Sequence, residues 1–149
     1  DRVFVDDARL DRSVNAALVR AGLAYGEFYT TMPFPLIGHL RDEVGKARAA
    51  EAGFWPRESI TVDTPAQPAS VADLSEMVIF PKLYRRLSDY FADNHSDLTA
   101  FDTWVRAKPD RDDLTQLPSG ERGHLHDTYV VDGQGIRLRY RPEELIFLE

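Results

Sequence analysis

The chain has 149 residues, 43% of them apolar and 11% aromatic, with no cysteine and a net charge of −7. That length can bury a real core as one domain or two small ones, and the absent cysteines exclude a disulfide framework, a thiolate metal site and a thiol nucleophile. No apolar run approaches the ~20 residues a membrane helix needs, so no membrane partner is expected.

No signal peptide opens the chain, and its first residue is Asp1 rather than Met, which predicts processing or truncation ahead of it. Val3-Phe4-Val5 predicts a short strand, and residues 8–12 read as a polar turn. Ser13 is a good N-cap, because its hydroxyl can accept an amide of the first helical turn. The helix it opens is predicted over Val14 to Ala21, with Val14, Ala17, Leu18 and Ala21 sharing the inward face. Gly22 supplies the left-handed residue that ends it. Leu23 to Tyr29 reads as a strand, broken by Pro33 and Pro35. Pro35 suits the first turn of a long helix to Ala52, with Leu36, Leu40, Val44 and Ala47 inward. Gly53 ends that helix, and Phe54 and Trp55 fold back as anchors.

Residues 56–72 carry three prolines and little periodicity, so they read as a linker or an extended crossing segment. The second region begins with Asp73 or Ser75 as a helix cap. Pro81 opens a helix whose Leu83, Tyr84, Leu87, Tyr90 and Phe91 form one stripe. Asp97 caps a shorter helix with Leu98, Phe101, Trp104 and Val105 inward, so these aromatics read as core rather than as a base-stacking platform. Residues 108–123 read as a polar loop. Thr128 to Val131 and Ile136 to Tyr140 flank a Gly-containing turn, a hairpin pattern. Leu145 to Leu148 is the expected last strand.

The run Val14-Asn15-Ala16-Ala17-Leu18-Val19-Arg20-Ala21-Gly22-Leu23-Ala24-Tyr25, with Ala47-Arg48-Ala49-Ala50-Glu51-Ala52-Gly53-Phe54-Trp55 after it, resembles the C-terminal part of a staphylococcal-nuclease-like (thermonuclease-like) domain. The likeness covers residues 1–59. That family cleaves DNA and RNA with bound calcium, and pairs a five-stranded Greek-key barrel of the OB type with helices packed on it. The resemblance implies chemistry by two arginines, a general-base glutamate and two aspartates that hold calcium. Most of these belong to early barrel strands with no counterpart here. Arg2 is the one candidate: an ungapped count back from Asn15 puts it at the family spacing of a catalytic arginine. Aligning Val3-Phe4-Val5 with the buried strand instead needs an insertion around residues 8–11 and moves that site off the front of the chain. The second register is preferred because it keeps the strand buried. Phe28 and Thr30 stand where the family's nucleotide-flanking tyrosines are wanted, with Tyr29 between them. Every transferable residue is then structural, and the chain alone is expected not to cut nucleic acid. Two strands cannot close a barrel, and open edges invite pairing. The missing strands come from upstream sequence, from another copy or a protein partner, or the region has settled into a different packing.

Three further patterns carry chemistry. His124-x-His126-Asp127, placed on a strand, turns both imidazoles to one face, a spacing that can hold zinc or a similar ion with oxygens from Asp112, Asp113 and Asp127. The competing reading is a loop entering a hairpin, with histidines bonded locally. Arg137, Arg139 and Arg141 alternate with Ile136, Leu138 and Tyr140; with Arg85 and Arg86 they form either a patch for phosphate or an acidic partner, or the solvated face of an antiparallel sheet, the better reading. Asp110-Arg111-Asp112-Asp113 lacks the EF-hand pattern and reads as a solvated loop. His39 and His95 carry no usable signal. There is no Gly-rich phosphate loop and no Ser-His-Asp pattern.

The expected fold is α+β: a partial nuclease-like barrel with its C-terminal helix over residues 1–59, a linker over 60–72, and a small helix-helix-hairpin domain over 73–149. The expected function is the C-terminal portion of a nuclease-like protein acting on nucleic acid. The alternative is a non-catalytic protein-interaction module on the same scaffold. Residues 1–59 hold 8 Lys and Arg against 9 Asp and Glu, and residues 60–149 hold 10 against 16. An acidic second region disfavours phosphate-backbone binding there.

Overall fold

The computed structural model describes residues 7–133 and 135–148. Arg2 and the Val3-Phe4-Val5 strand lie outside the described residues. The fold is mixed α+β: among the described residues are six α-helices and six short strands, in a four-stranded and a two-stranded sheet. The strands do not close into a barrel.

The first helix, α1 (Asp7–Asp11), replaces the expected polar turn. Its Leu10 is buried, and the Arg12 Nε donates to the Ala8 carbonyl at 3.0 Å. Ser13 caps α2 (Val14–Arg20) as expected, accepting from the Ala16 amide at 3.1 Å. The buried face of α2 differs from the expected one. Ala16 and Val19 pack inward, and Val14 and Leu18 face solvent. Period alone finds an apolar stripe, but α2 meets the next helix through its small residue Ala16, which permits close approach.

That next helix, α3 (Phe34–Ala49), carries Pro35 in its first turn and buries Ile37, Leu40, Val44 and Ala47. Glu43 is buried on the same face, held by Arg20 of α2 at 2.5 Å and by Lys46 at 2.6 Å. Gly22 and Gly53, which follow α2 and α3, sit back to back at positive φ. A Cβ on Gly22 would lie 2.1 Å from the Ala52 oxygen, and one on Gly53 would lie 2.1 Å from the Gly22 oxygen. Two glycines are therefore required for the helix ends to touch and for the Phe54 amide to reach the Gly22 carbonyl at 3.0 Å.

Of the strand expected over Leu23 to Tyr29, only β1 (Phe28–Tyr29) forms. The 56–72 segment is a crossing segment: Ala66 exchanges backbone bonds with Ile136, and Thr61 accepts from Leu138 at 2.9 Å. Ser70, rather than Asp73 or Ser75, caps α4 (Val71–Ser75). Helix α5 (Pro81–Ala92) buries Leu83, Leu87, Tyr90 and Phe91 of the expected stripe, and leaves its fifth member, Tyr84, half-buried. Helix α6 (Phe101–Arg106) adds Phe101 and Val105.

The presumed 108–123 loop contains a hairpin, β2 (Leu114–Gln116) and β3 (Arg122–His124). The expected second hairpin is β4 (Tyr129–Asp132) with β5 (Gly135–Leu138), and β6 (Ile146–Phe147) closes the chain's ladder. The larger sheet runs β1-β6-β2-β3, with β6 parallel to β1 and antiparallel to β2. Residues on both sides of the crossing segment thus share one sheet. Phe147, fully buried, stacks on Phe80 with centroids 6.0 Å apart and tilts against Tyr29 at 6.1 Å. The main core is built from α4, α5, α6, both hairpin regions and Phe147. Ile146 points to the other side, into a cluster with Ala16, Phe28, Ile37 and Leu40. One two-residue strand therefore feeds both cores, since successive side chains alternate across a sheet.

Candidate functional site

The histidine pair sits where the 110–113 segment meets the turn after β3. His124 ends β3, but His126 lies in a one-turn 3-10 helix (Leu125–Thr128), not on a strand. The two rings nonetheless stack almost parallel, with centroids 5.5 Å apart. Asp112 is the hub. Its buried carboxylate accepts from the His126 amide at 3.0 Å and contacts the His126 Nδ1, and its carbonyl accepts from the His124 Nδ1 at 3.0 Å. A carbonyl only accepts, so His124 carries a proton on Nδ1. Asp127 faces the His126 Nε2 at 3.3 Å and accepts from the His124 amide at 2.9 Å. Both ring nitrogens of His126 are therefore turned to carboxylates. A metal at His124, His126 and Asp127 would have to displace those contacts, and among the described residues no three His, Asp or Glu side chains are arranged to hold an ion. Tyr129 packs beside this cluster. Burial first, then the negative charge of Asp102 and Asp112, raises its phenol above the ordinary range.

The Asp110–Asp113 segment is not a solvated loop. The Arg86 guanidinium, buried on α5, donates to the Asp110 carbonyl at 2.8 Å, the Arg111 carbonyl at 2.7 Å and the Asp113 carboxylate at 2.9 Å. Lys82, one turn earlier, is 3.3 Å from Asp113 and 3.8 Å from Glu27, with its ammonium 4.2 Å above the Phe147 ring. Arg111 lies over Trp104 at 3.7 Å. These cations anchor the segment that carries Asp112. Arg86 is thus spent on this anchor and removed from the alternative reading of an arginine patch with Arg137, Arg139 and Arg141. The strand expected to run to Tyr140 ends at Leu138, so Arg139 and Arg141 lie beyond it; Arg139 donates to the Tyr129 carbonyl at 3.0 Å, while Ile136 and Leu138 of β5 point into the core. That is the half-buried alternation of an antiparallel sheet.

The segment that carries the nuclease resemblance presents a different feature. Val14 is 73% exposed, Leu18 41%, Leu23 66% and Phe34 74%, four of the six exposed large apolar side chains among the described residues. Leu18 also lines a cleft of about 230 Å³ between α2 and α3, together with Val19, Phe28, Met32 and Leu40. Beside it, β1 is an edge strand. A further cleft of about 530 Å³ lies among the 67–69, 96–99 and 131–133 loops. It includes Asp97, whose carboxyl is held below its ordinary range by hydrogen bonds from Thr99.

Buried charge was the signal missed in the sequence. Glu43 on the α3 stripe, and Arg48, Glu58 and Glu143, are brought together or buried only by tertiary packing. Their one sequence trace is an acidic residue at position 43 between Leu40 and Ala47.

The fold and its sites define a mixed α+β protein with a charged, self-paired interior seam and several exposed apolar side chains on and near α2. No helix among the described residues is long and apolar enough to cross a membrane. Comparison with protein-family models, with curated proteins and with solved structures gives no match to this chain.

Proposed function

We infer that this chain is the C-terminal portion of a nuclease-like protein acting on nucleic acid, with the phosphodiester chemistry, its calcium and its catalytic carboxylates supplied by residues outside the chain. The observation that carries the reading is the exposure of the large apolar side chains Val14, Leu18, Leu23 and Phe34, on α2, just after it and at the start of α3, together with the edge strand β1. Exposed large apolar side chains gathered in one stretch of chain are candidates for an interaction site. Here they fall on the segment with the nuclease resemblance, and include Leu18 and Leu23 of that string. Barrel strands laid along this face would bury Val14, Leu18 and Phe34 and give β1 a second neighbour. The capped α2, the paired Gly22 and Gly53, and the infolded Phe54 and Trp55 suit a scaffold that positions such strands. In the family, arginines stabilise charge on the pentavalent phosphate and calcium polarises it. In this chain Arg20, Arg48 and Arg86 hold buried or half-buried carboxylates instead.

The test is cleavage of a fluorescent single-stranded DNA, in calcium and in chelator, by this chain and by a longer protein that includes the coding sequence ahead of Asp1. This chain alone should not cut, and the longer one should cut only with calcium. A preceding sequence without a strand-borne Asp, followed by Arg, Asp and Glu, would overturn the reading. So would calcium-dependent cutting by this chain that is lost in Arg2→Ala, which places the site inside it. A second reading is favoured by the net −6 charge of residues 60–149: a non-catalytic module whose apolar face takes a protein partner or a second copy. Inactivity of the longer protein would select it.

A further inference from the structure

Of the strand predicted over Leu23 to Tyr29, only Phe28 and Tyr29 pair, with Ile146 and Phe147 of β6. The backbone groups of Ala24, Tyr25, Gly26 and Glu27 make no hydrogen bond among the described residues. Burial still alternates as in a strand: Gly26 and Phe28 are buried, Glu27 and Tyr29 half-buried. The Thr30 amide donates to the Phe147 carbonyl at 2.9 Å, on the β6 side, so strand alternation turns the backbone groups of Tyr25 and Glu27 to the other side. There the run has no neighbouring strand among the described residues. Backbone polar groups need partners, and an open edge is a template for another strand.

The same four residues line the cleft of about 230 Å³ between α2 and α3, with Leu18 and Val19 of α2 and Leu40 of α3 among its other walls. Among the described residues that line it, Glu27 alone is charged, and its carboxylate accepts from the Tyr29 hydroxyl and lies 3.8 Å from the Lys82 ammonium. With that charge engaged inside the fold, the cleft suits an apolar side chain. A cavity of ~150 Å³ already takes a benzene ring, so one phenyl group fits. The outer side of α2 is apolar as well: Val14, Ala17, Leu18 and Ala21 are exposed at helical spacing. A helix with apolar residues inside and outside has two faces to cover.

The size of the site favours a short, tethered occupant. A stable interface with a free partner takes about 20–30 residues a side, far more than one short edge and a cleft for one side chain. A second copy paired edge to edge brings Phe28, which is already buried in its own core. A segment of the same chain needs no such area, because its tether keeps its effective concentration high. Asp1-Arg2-Val3-Phe4-Val5-Asp6, outside the described residues, precedes α1 and sets three apolar residues between charged ones. From Asp7, one helical turn leads to Leu10, whose carbonyl accepts from the Ser13 amide at 3.0 Å, and Asn15, which lines the cleft, is two residues further on. That path is ~16 Å at most and six extended residues span about 20 Å, so the reach suffices. We propose that Val3-Phe4-Val5 adds as a strand to the open edge at residues 25–27 and seats the Phe4 ring in the cleft. Successive side chains alternate across a strand, so Val3 and Val5 face away from Phe4. The proposal rests on the reading above in taking this face as the seat of a missing strand; it names that strand and asks nothing of the phosphodiester chemistry.

The test is NMR of the full chain beside a chain that starts at Asp7. In the full chain the Phe4 ring should show NOE contacts to the Leu18 and Leu40 methyls, and the Tyr25 and Glu27 amides should exchange at least about tenfold more slowly than in the shorter chain. Phe4→Asp should return both amides to the rate of the shorter chain, while unchanged indole N–H signals of Trp55 and Trp104, the chain's two tryptophans, show that the rest is folded. Absence of the Phe4–Leu18 contact, or equal exchange in both chains, would overturn the proposal. So would protection that grows with protein concentration, the mark of a second copy, or protection found only in the longer protein of the cleavage test, the mark of a strand from further upstream. A longer protein that does not cut, with the Phe4 contacts intact, supports the proposal and overturns the nuclease reading alone.

Discussion

Phe147→Ala tests whether the two ends of the chain are one cooperative unit. The ring is fully buried in β6, between β1 and β2, against Phe80 and Tyr29 and beneath the Lys82 ammonium. Truncating a buried Phe costs about 3–5 kcal/mol through lost transfer energy and the cavity left behind. The Lys82–ring contact is desolvated, which places the loss toward the middle of that range or above, about 4 kcal/mol. At a urea slope of about 2 kcal/mol per M, the midpoint should fall by about 2 M. A domain of this size holds only about 5–15 kcal/mol in all, so the variant keeps a folded state with much less margin. The assay tracks the Trp55 and Trp104 indole signals through one urea titration. Trp55 packs with Val19, Val44 and Ala47, and Trp104 packs on the main core, so each reports on one side of the crossing segment. Because β6 joins the main core to the Ala16–Leu40 cluster, and α2 and α3 carry both that cluster and the one around Trp55, both midpoints should fall by the same amount of urea together. A Trp55 midpoint that stays at its wild-type value while Trp104 falls would refute the shared sheet as the source of cooperativity. So would a shift below about 0.5 M for both, a stability change of only about 1 kcal/mol.

Hydrogen bonds from Lys46 and Arg20 hold the Glu43 carboxyl below its ordinary range. On unfolding it returns to a value near 4.3, so the unfolded chain binds the proton first. Its contribution is complete above that value and is lost as pH falls through the lower folded one. Glu43→Gln should therefore flatten the acid limb of a plot of Tm against pH below about pH 4.5, and curves that stay parallel there would contradict the assignment. His126→Ala removes the ring contact that holds Asp112 and leaves a buried carboxylate short of a donor, a loss of about 1–3 kcal/mol and roughly 3–9 °C in Tm for a chain of this length. The wild-type Tm should be the same with and without EDTA, because His126 spends both nitrogens on carboxylates. A melting point lowered by the chelator would instead reveal an ion at His124, His126 and Asp127.

The sequence by itself determined those elements whose causes are local. The Ser13 cap, Pro35 and Pro81 in first helical turns, the Leu83-Leu87-Tyr90-Phe91 stripe, Gly22 after α2 and the β4–β5 hairpin all rest on bonds or backbone preferences within a few residues, whereas α3 ends at Ala49, before the expected Gly53, whose positive φ serves its contact with Gly22. Leu114–Gln116 and Arg122–His124 were invisible because their polar, short runs become strands only when β6 arrives to pair with β2. The candidate site was half legible. His124, His126, Asp112 and Asp127 do come together, but the 3-10 turn that places His126 depends on Asp112 bonding back across twelve to fourteen residues. Which face of α2 is buried was decided by the approach of α3, and the four-way arrangement of Arg48, Trp55, Glu58 and Glu143 by contacts spanning up to 95 residues. Periodicity reports that a helix has an apolar side. Only the partner surfaces, brought in by chain closure between β1 and β6, decide which side is covered and which charges are left facing one another in the dry interior.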